Sequence, residues 1–143
     1  MVFARFMGEK KGKKIMSIGY SKTVKYDIDI ADSKVRDALQ SQGFGIITDI
    51  NVKDTFKKKL DVDFKPYRIL GACNPKIAHE ALQVNPEIGL LLPCNVVLWE
   101  NNDRSTTVSA INAEKMLSLV DEDDLIEEAK HINSLLKTAI DSL

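Results

Sequence analysis

Apolar positions recur with two different periods along the chain, which predicts a mixture of helices and strands. Residues 18–24 have the composition of a strand. The apolar positions that follow have the spacing of one helix face: Ile28, Ala31, Val35, Ala38 and Leu39. Gly43 lies where a glycine C-terminal cap is expected. From Phe44 to Asn51 the side chains alternate, which predicts a strand with one buried face.

Asparagine and proline divide the second half of the chain into further short elements. The residue before a proline is disfavoured in helical geometry, so Lys65-Pro66 ends the segment before it. Asn74-Pro75 supplies a helix cap followed by a suitable first helical residue. The predicted elements are an amphipathic turn through Phe56 and Leu60, strands over 67–73, 94–100 and 105–111, a helix over 75–84, and a short helix over 113–119 capped by Asn112.

The C-terminal segment has the most regular apolar pattern of the chain. Its apolar positions repeat every four and three residues, as in a helix stripe: Leu125, Ala129, Ile132, Leu136, Ala139 and Leu143, widened by Ile126 and Ile140. Asp121 is the expected N-cap of this helix. Hairpins mixed with crossovers predict an α+β fold, in which helices cover an antiparallel or mixed sheet.

Composition and charge narrow the class of protein. The chain has 143 residues, 44% of them hydrophobic, with 20 basic and 21 acidic side chains. These values suit one folded domain and exclude a binder of nucleic acid that is basic throughout. The longest apolar run, Ile88–Pro93, is far shorter than a membrane span, and no signal-peptide pattern is present. Two cysteines match free thiols better than a disulfide framework. We therefore expect a cytoplasmic protein without a membrane partner.

Basic side chains are concentrated at the N-terminus. Residues 1–25 carry seven of them against Glu9 alone, whereas residues 112–143 carry eight acids and three lysines. We interpret residues 1–15 as a flexible basic arm and residues 16–143 as a single α+β domain. Nucleic-acid binding by the arm is the alternative to a simple solvated terminus, and nucleic acid is not the expected partner.

Common catalytic motifs are missing from the sequence. It has no P-loop, no dinucleotide fingerprint, no Gly-x-Ser-x-Gly, no His-Glu-x-x-His and no Cys-x-x-Cys. The acidic run Asp121–Asp124 lacks the alternating ligands and glycine of a calcium loop, and it suits a helix start. We therefore predict no metal site and assign no catalytic residue and no cofactor.

Two similar short segments are the candidate site. Cys73-Asn74 closes one predicted strand, and Cys94-Asn95 opens the next. Antiparallel pairing of these strands would bring the two thiols together. The helix N-terminus after Cys73 favours a thiolate or a ligand anion. Three interpretations stay open: a small-ligand site, a thiol-based redox or metal-dependent enzyme, and two cysteines that pack as small apolar side chains.

Two further features bear on ligands and partners. Arg68, next to Tyr67 at the head of its strand, is a candidate anion ligand, with an ordinary ion pair as the alternative. The segment Ile88–Pro93 is too apolar to lie open to water. It is either a protein contact, for which a two-fold homodimer is the default, or part of the same domain's core.

Two motifs in order resemble one family. The segments Tyr67–Pro75 and Gly89–Val97, preceded by Gly43–Ile50, are similar to the bacterial and archaeal domain of unknown function 302. The resemblance extends from Gly19 to Leu143. It implies a compact α+β domain of β-α-β(4)-α type with extra helices, and a homodimer. It implies no reaction, because the family as such has no established activity.

Overall fold

The computed structural model describes residues 18–120 and 122–143. The predicted arm, the domain boundary at residue 16 and the predicted cap Asp121 lie outside this part of the chain. The strands are β1 (Gly19–Val24), β2 (Gly45–Asn51), β3 (Tyr67–Cys73), β4 (Cys94–Glu100) and β5 (Thr106–Ile111). The α-helices are α1 (Ile28–Ser41), α2 (Val52–Leu60), α3 (Pro75–Val84), α4 (Ala113–Leu117) and α5 (Ile126–Asp141), with 3-10 turns at Pro86–Leu91 and Asp123–Leu125.

The five strands form one sheet in the order β1-β5-β4-β3-β2. Every neighbouring pair is antiparallel. Without the shorter helices α2, α3 and α4, the chain order is β-α-β-β-β-β-α. The predicted α+β fold is therefore confirmed, and the extra short helices are present as expected.

Helices α1 and α5 pack on one face of the sheet and enclose the main core. Along β4 and β5, alternate residues are buried, because successive side chains of a strand point to opposite faces. The fully buried large side chains of this core include Leu39, Leu70, Leu98, Val108 and Leu136. From Ile132 onward, the apolar stripe predicted for α5 faces this core, whereas Ile126 at its start is 49% exposed.

A smaller core cluster lies beside the main one. It is formed by α3, the 3-10 turn after it, α4 and the start of α5, through Ala81, Ile88, Leu117, Leu125 and Ala129. Ile88 is fully buried there, and Leu91 and Leu92 pack against the cluster. Much of the apolar segment 88–93 is thus used inside the domain, whereas Leu90 is 84% exposed.

The prediction of a buried face on the strand after Gly43 was wrong. Phe44 is buried, but it precedes β2, and within β2 only Ile46 and Asn51 are even partly covered. The pairing with β3 shifts between Ile46 and Thr48, so the two ends of β2 do not present one continuous face. As an edge strand, β2 also has a neighbour on one side only.

Two helices have the side-chain caps that the sequence predicts. Asn74 accepts a hydrogen bond from Ile77 N at 3.3 Å, and Asn112 accepts one from Glu114 N at 3.1 Å. Gly43 has a φ of 87°, the left-handed geometry that favours glycine after a helix end. Within residues 18–120 and 122–143, no helix has both the length and the apolar character needed to cross a membrane.

Candidate functional site

Strands β3 and β4 bring the two cysteines to one place. Ala72 pairs with Cys94 across the ladder, so Cys73 lies one residue from the position that faces Cys94. Both side chains line the same cavity. Cys94 is 4% exposed and Cys73 is half-buried, and both are free thiols. The juxtaposition predicted from antiparallel pairing is therefore present.

The cavity lies where the two core clusters meet. Its wall includes Phe44 and Ile132 from the main cluster, and Ala81 and Ile88 from the smaller one. Its volume is about 30 Å³. A buried water needs roughly 10–15 Å³ measured in this way, so the space corresponds to about two water molecules. The wall is almost entirely apolar apart from the two thiols and two other side chains, Asn74 and Glu128.

Close packing around Gly71 holds one side of this cavity in place. A Cβ atom at Gly71 would clash with the Thr48 hydroxyl and lie 2.6 Å from Cγ of Pro93. Real Cβ atoms do not approach other atoms so closely, so this position needs glycine. The missing side chain lets Pro93 lie against β3, where it forms part of the cavity wall before Cys94.

The two thiols have different surroundings. Burial, and secondarily the neighbouring Cys73, raises the pKa of the Cys94 thiol from 9.0 to about 11. Cys94 therefore holds its proton near neutral pH and is a poor nucleophile there. This behaviour suits a cavity wall better than an attacking group.

Asn74 connects the cavity to α3. Its Oδ1 atom is occupied as the acceptor of the helix cap, as described above. The structural role expected for Asn74 is therefore present, and its side chain also lines the cavity. A ligand that approached Asn74 would meet an amide nitrogen that takes no part in the capping hydrogen bond, whereas the Oδ1 atom is already occupied by it.

Glu128 is the cavity residue that the sequence interpretation missed. It lies on α5, and its Oε2 atom is buried with no hydrogen-bond partner among the described residues. In the sequence it looks like one of several acids at a helix start. Its spacing could have predicted an inward-facing side chain, since Glu128 is three residues after Leu125 and four before Ile132, both on the buried stripe.

Two predicted site residues do not line the cavity. Arg68 donates to Oδ1 of Asp49 at 3.0 Å, and Arg36 donates to Oδ2 of the same carboxylate at 2.6 Å. These ion pairs connect β3 to β2 and α1. Arg68 therefore takes part in an ordinary ion pair, the alternative to an anion site that the sequence left open. Asn95 is exposed and pairs with Gly71 on β3. Neighbouring residues of a strand face opposite sides of a sheet, so Asn95 and the buried Cys94 point away from each other.

Sequence comparison now identifies the family. The family described as "Domain of unknown function DUF302" matches residues 20–143. The chain belongs to this family. The crystal structure of the uncharacterized conserved protein DUF302 from Bacillus stearothermophilus is similar, with a TM-score of 0.81 and 25% sequence identity, covering 87% of this chain and 97% of that one. No curated protein matches the chain significantly.

The geometry of this DUF302 domain limits the chemistry that the site supports. Within residues 18–120 and 122–143, no three His, Cys, Asp or Glu side chains are grouped closely enough to hold a metal ion. The two thiols and Glu128 line one cavity without forming such a group. What the arrangement offers is an apolar wall that contains two thiols, which are weak hydrogen-bond donors.

Proposed function

We propose that this protein is a cytoplasmic, homodimeric domain that binds a small molecule in the cavity between Cys73 and Cys94. The supporting observation is the cavity itself. It lies at the junction of two separately packed core clusters and contains both thiols. Well-packed interiors leave few voids of this size, and pockets that combine an apolar wall with a few polar groups are typical ligand sites.

The alternative, a thiol-based redox or metal-dependent enzyme, has less support. Its nucleophile would be Cys73, with Cys94 resolving or sharing a metal. The raised pKa of Cys94 opposes attack by that thiol near neutral pH. Among the described residues, those that line the cavity also include no histidine that could act as a base for Cys73.

Ligand binding is tested by filling the cavity. In Ala81→Leu the larger side chain occupies part of the space, because Ala81 is buried and lines the cavity. A fragment screen is followed through the methyl NMR signals of Ile77, Ile88 and Met116, which all line the wall. We expect fragments that shift these signals and slow the alkylation of Cys73 by iodoacetamide. Ala81→Leu should lose both effects.

Leu90→Ala is the matched control for Ala81→Leu. Leu90→Ala alters an exposed side chain outside the cavity and should bind fragments as the wild type does. The proposal fails if no fragment shifts the wall signals. It also fails if a correctly folded Ala81→Leu binds as well as the wild type.

Self-association is supported by the part of the apolar segment 88–93 that is not buried in the core. Leu90 is exposed, and so are Leu82 and Val84 at the end of α3. The 3-10 turn brings this surface together, since a Cβ atom at Gly89 would lie 3.8 Å from Leu82 Cδ2. Grouped apolar side chains at a surface often mark a protein contact, and a two-fold dimer is the default closed assembly.

Sedimentation velocity tests this contact. We expect a dimer for the wild type and a monomer for Leu90→Lys, because the lysine puts a charge into the apolar surface. Leu119→Lys is the matched control, since Leu119 is similarly exposed but lies after α4. A monomeric wild type, or a Leu90→Lys protein that dimerises normally, would contradict the homodimer.

A further inference from the structure

We infer that the open groove between α4 and α5 is a second binding site, which takes a small phosphate monoester with a hydroxylated body. The groove has a volume of about 770 Å³. Pockets of roughly 300–1,000 Å³ are the usual size for small-molecule ligands. Among the described residues, none lines both this groove and the cavity of Cys73 and Cys94, so the site is separate from the one proposed above.

Charge is distributed unevenly over this part of the chain. Residues 112–143 carry eight acids and three lysines. All three lysines, Lys115, Lys130 and Lys137, line the groove, whereas Glu114 is the one acid among the described residues that does so. An acidic segment therefore presents a local excess of two positive charges on one surface. Charge of one sign collected in a cleft attracts ligands of the opposite sign, so the ligand is an anion.

Helix geometry brings these polar side chains together. Lys130, Ser134 and Lys137 are four and three residues apart on α5, so they lie on one face of that helix. Lys115 and Ser118 are three residues apart at the end of α4, which packs against α5. The groove therefore has hydroxyl and ammonium groups on both of its sides.

Hydrogen bonds hold the two helices at the groove. Asn133 is buried, and its Nδ2 atom donates to Asn112 Oδ1 at 2.9 Å and to Glu114 Oε1 at 3.1 Å. The single carboxylate of the groove is thus held by an amide of the neighbouring helix. A site that is shaped before the ligand arrives loses less free energy to ordering on binding.

The three ammonium groups are open to a ligand, because all three lysines are exposed. Within the described residues, Lys115 and Lys137 form no ion pair with a carboxylate, and Lys130 has one long contact, 3.8 Å from Nζ to Oε1 of Glu127. Nζ of Lys137 lies 5.3 Å from the centre of the Tyr20 ring. This contact positions the ammonium group and leaves its charge in place.

Charge and size together favour a phosphate monoester. Such a group carries about 1.5 to 2 negative charges at pH 7, close to the local excess of two. Lysine binds phosphate as a point charge, so contacts from two helices need no planar alignment. A phosphate alone would leave much of the groove empty. Oγ of Ser118 already donates to Lys115 O at 2.6 Å, so it meets a ligand as an acceptor, which suits a body with hydroxyl groups.

Isothermal titration calorimetry on the full-length protein, at low and constant ionic strength, tests this site. The probes are ribose 5-phosphate, inorganic phosphate and ribose. We expect ribose 5-phosphate to bind about tenfold more tightly than inorganic phosphate, and ribose to give no measurable binding. The backbone amide NMR signals of residues 115–118 and 130–137 should shift with ribose 5-phosphate.

Paired variants locate the binding. Lys115→Gln combined with Lys137→Gln should weaken binding of ribose 5-phosphate about tenfold. Lys58→Gln combined with Lys59→Gln is the matched control, since it removes the same charge from exposed positions on α2 and should change binding less than about twofold. Ser134→Ala should weaken ribose 5-phosphate about threefold and leave inorganic phosphate unchanged.

Four results would overturn the inference. The first is ribose 5-phosphate that leaves the groove signals unshifted, and the second is a folded Lys115/Lys137 double variant that binds it as the wild type does. The third is an equal loss in the α2 double variant, which would mean that overall charge alone attracts the probe. The fourth is inorganic phosphate binding as tightly as ribose 5-phosphate, which would mean an adventitious ion only.

Discussion

Helix α5 carries two inward-facing polar side chains five residues apart, Glu128 and Asn133, and their surroundings are opposite. Asn133 accepts a hydrogen bond from Ala113 N at 2.6 Å and donates to Asn112 Oδ1 at 2.9 Å and to Glu114 Oε1 at 3.1 Å. Glu128 lines the apolar cavity, and its Oε2 atom is buried with no partner among the described residues. One helix thus carries a satisfied polar group and an unsatisfied one.

The difference separates a polar side chain that stabilises the fold from one that does not. At the junction of α4 and α5, Asn112 and Asn133 satisfy the backbone N–H groups that a helix start leaves unpaired. A buried polar group that is fully paired serves the fold. A buried polar group without a partner costs free energy. Asn133 therefore stabilises the fold, whereas the carboxylate of Glu128 does not.

The largest expected effect is the loss of the paired group. Asn133→Ala removes the acceptor of Ala113 N and leaves this buried N–H without its side-chain partner. It also removes one donor to Asn112 Oδ1, which keeps its hydrogen bonds from Glu114 N and Lys115 N. We expect the free energy of unfolding to fall by about 3 kcal/mol, measured by urea denaturation. Ser134→Ala, the exposed neighbour, should change it by less than about 0.5 kcal/mol. A loss below about 1 kcal/mol for Asn133→Ala would remove the contrast with Glu128.

A second prediction sharpens the contrast from the thiol side of the cavity. The unfolded chain loses the Cys94 proton near pH 9.0, whereas burial and Cys73 keep it bound in the folded state up to about pH 11. The stability that the buried, protonated Cys94 thiol contributes to the fold is complete below pH 9 and is lost as the pH rises toward 11. Between these values the advantage of the wild type over Cys94→Ala should shrink by roughly 2 kcal/mol.

Urea denaturation from pH 7 to pH 11 measures this difference, since the other titrating groups are common to both proteins. Cys73→Ala is the control. It keeps burial, the larger cause of the raised pKa, and should retain most of the alkaline loss. A gap between wild type and Cys94→Ala that is constant with pH would mean that the Cys94 thiol is not buried as described.

Sequence reasoning reached the cysteine pair because local patterns determine it. The strand composition of residues 67–73 and 94–100, together with antiparallel pairing, was enough to place Cys73 near Cys94. It failed for β2, whose alternation predicted a buried face, because an edge position and a shifted register depend on neighbouring strands. It missed Glu128 because the oxygen's missing partner is a property of the packed clusters, which no local pattern records.

The smallest expected effect has the sign opposite to that of Asn133→Ala. Glu128→Met replaces the carboxylate by an apolar side chain of similar length, removes the unpaired oxygen and adds apolar contacts in the cavity. The free energy of unfolding should stay the same or rise by about 1 kcal/mol. Glu127→Met on the exposed side should leave it unchanged within about 0.5 kcal/mol. A fall of more than about 1 kcal/mol for Glu128→Met would show that the carboxylate contributes to folding as Asn133 does. An unchanged or higher stability would show that one helix carries a polar side chain that stabilises the fold and another that does not.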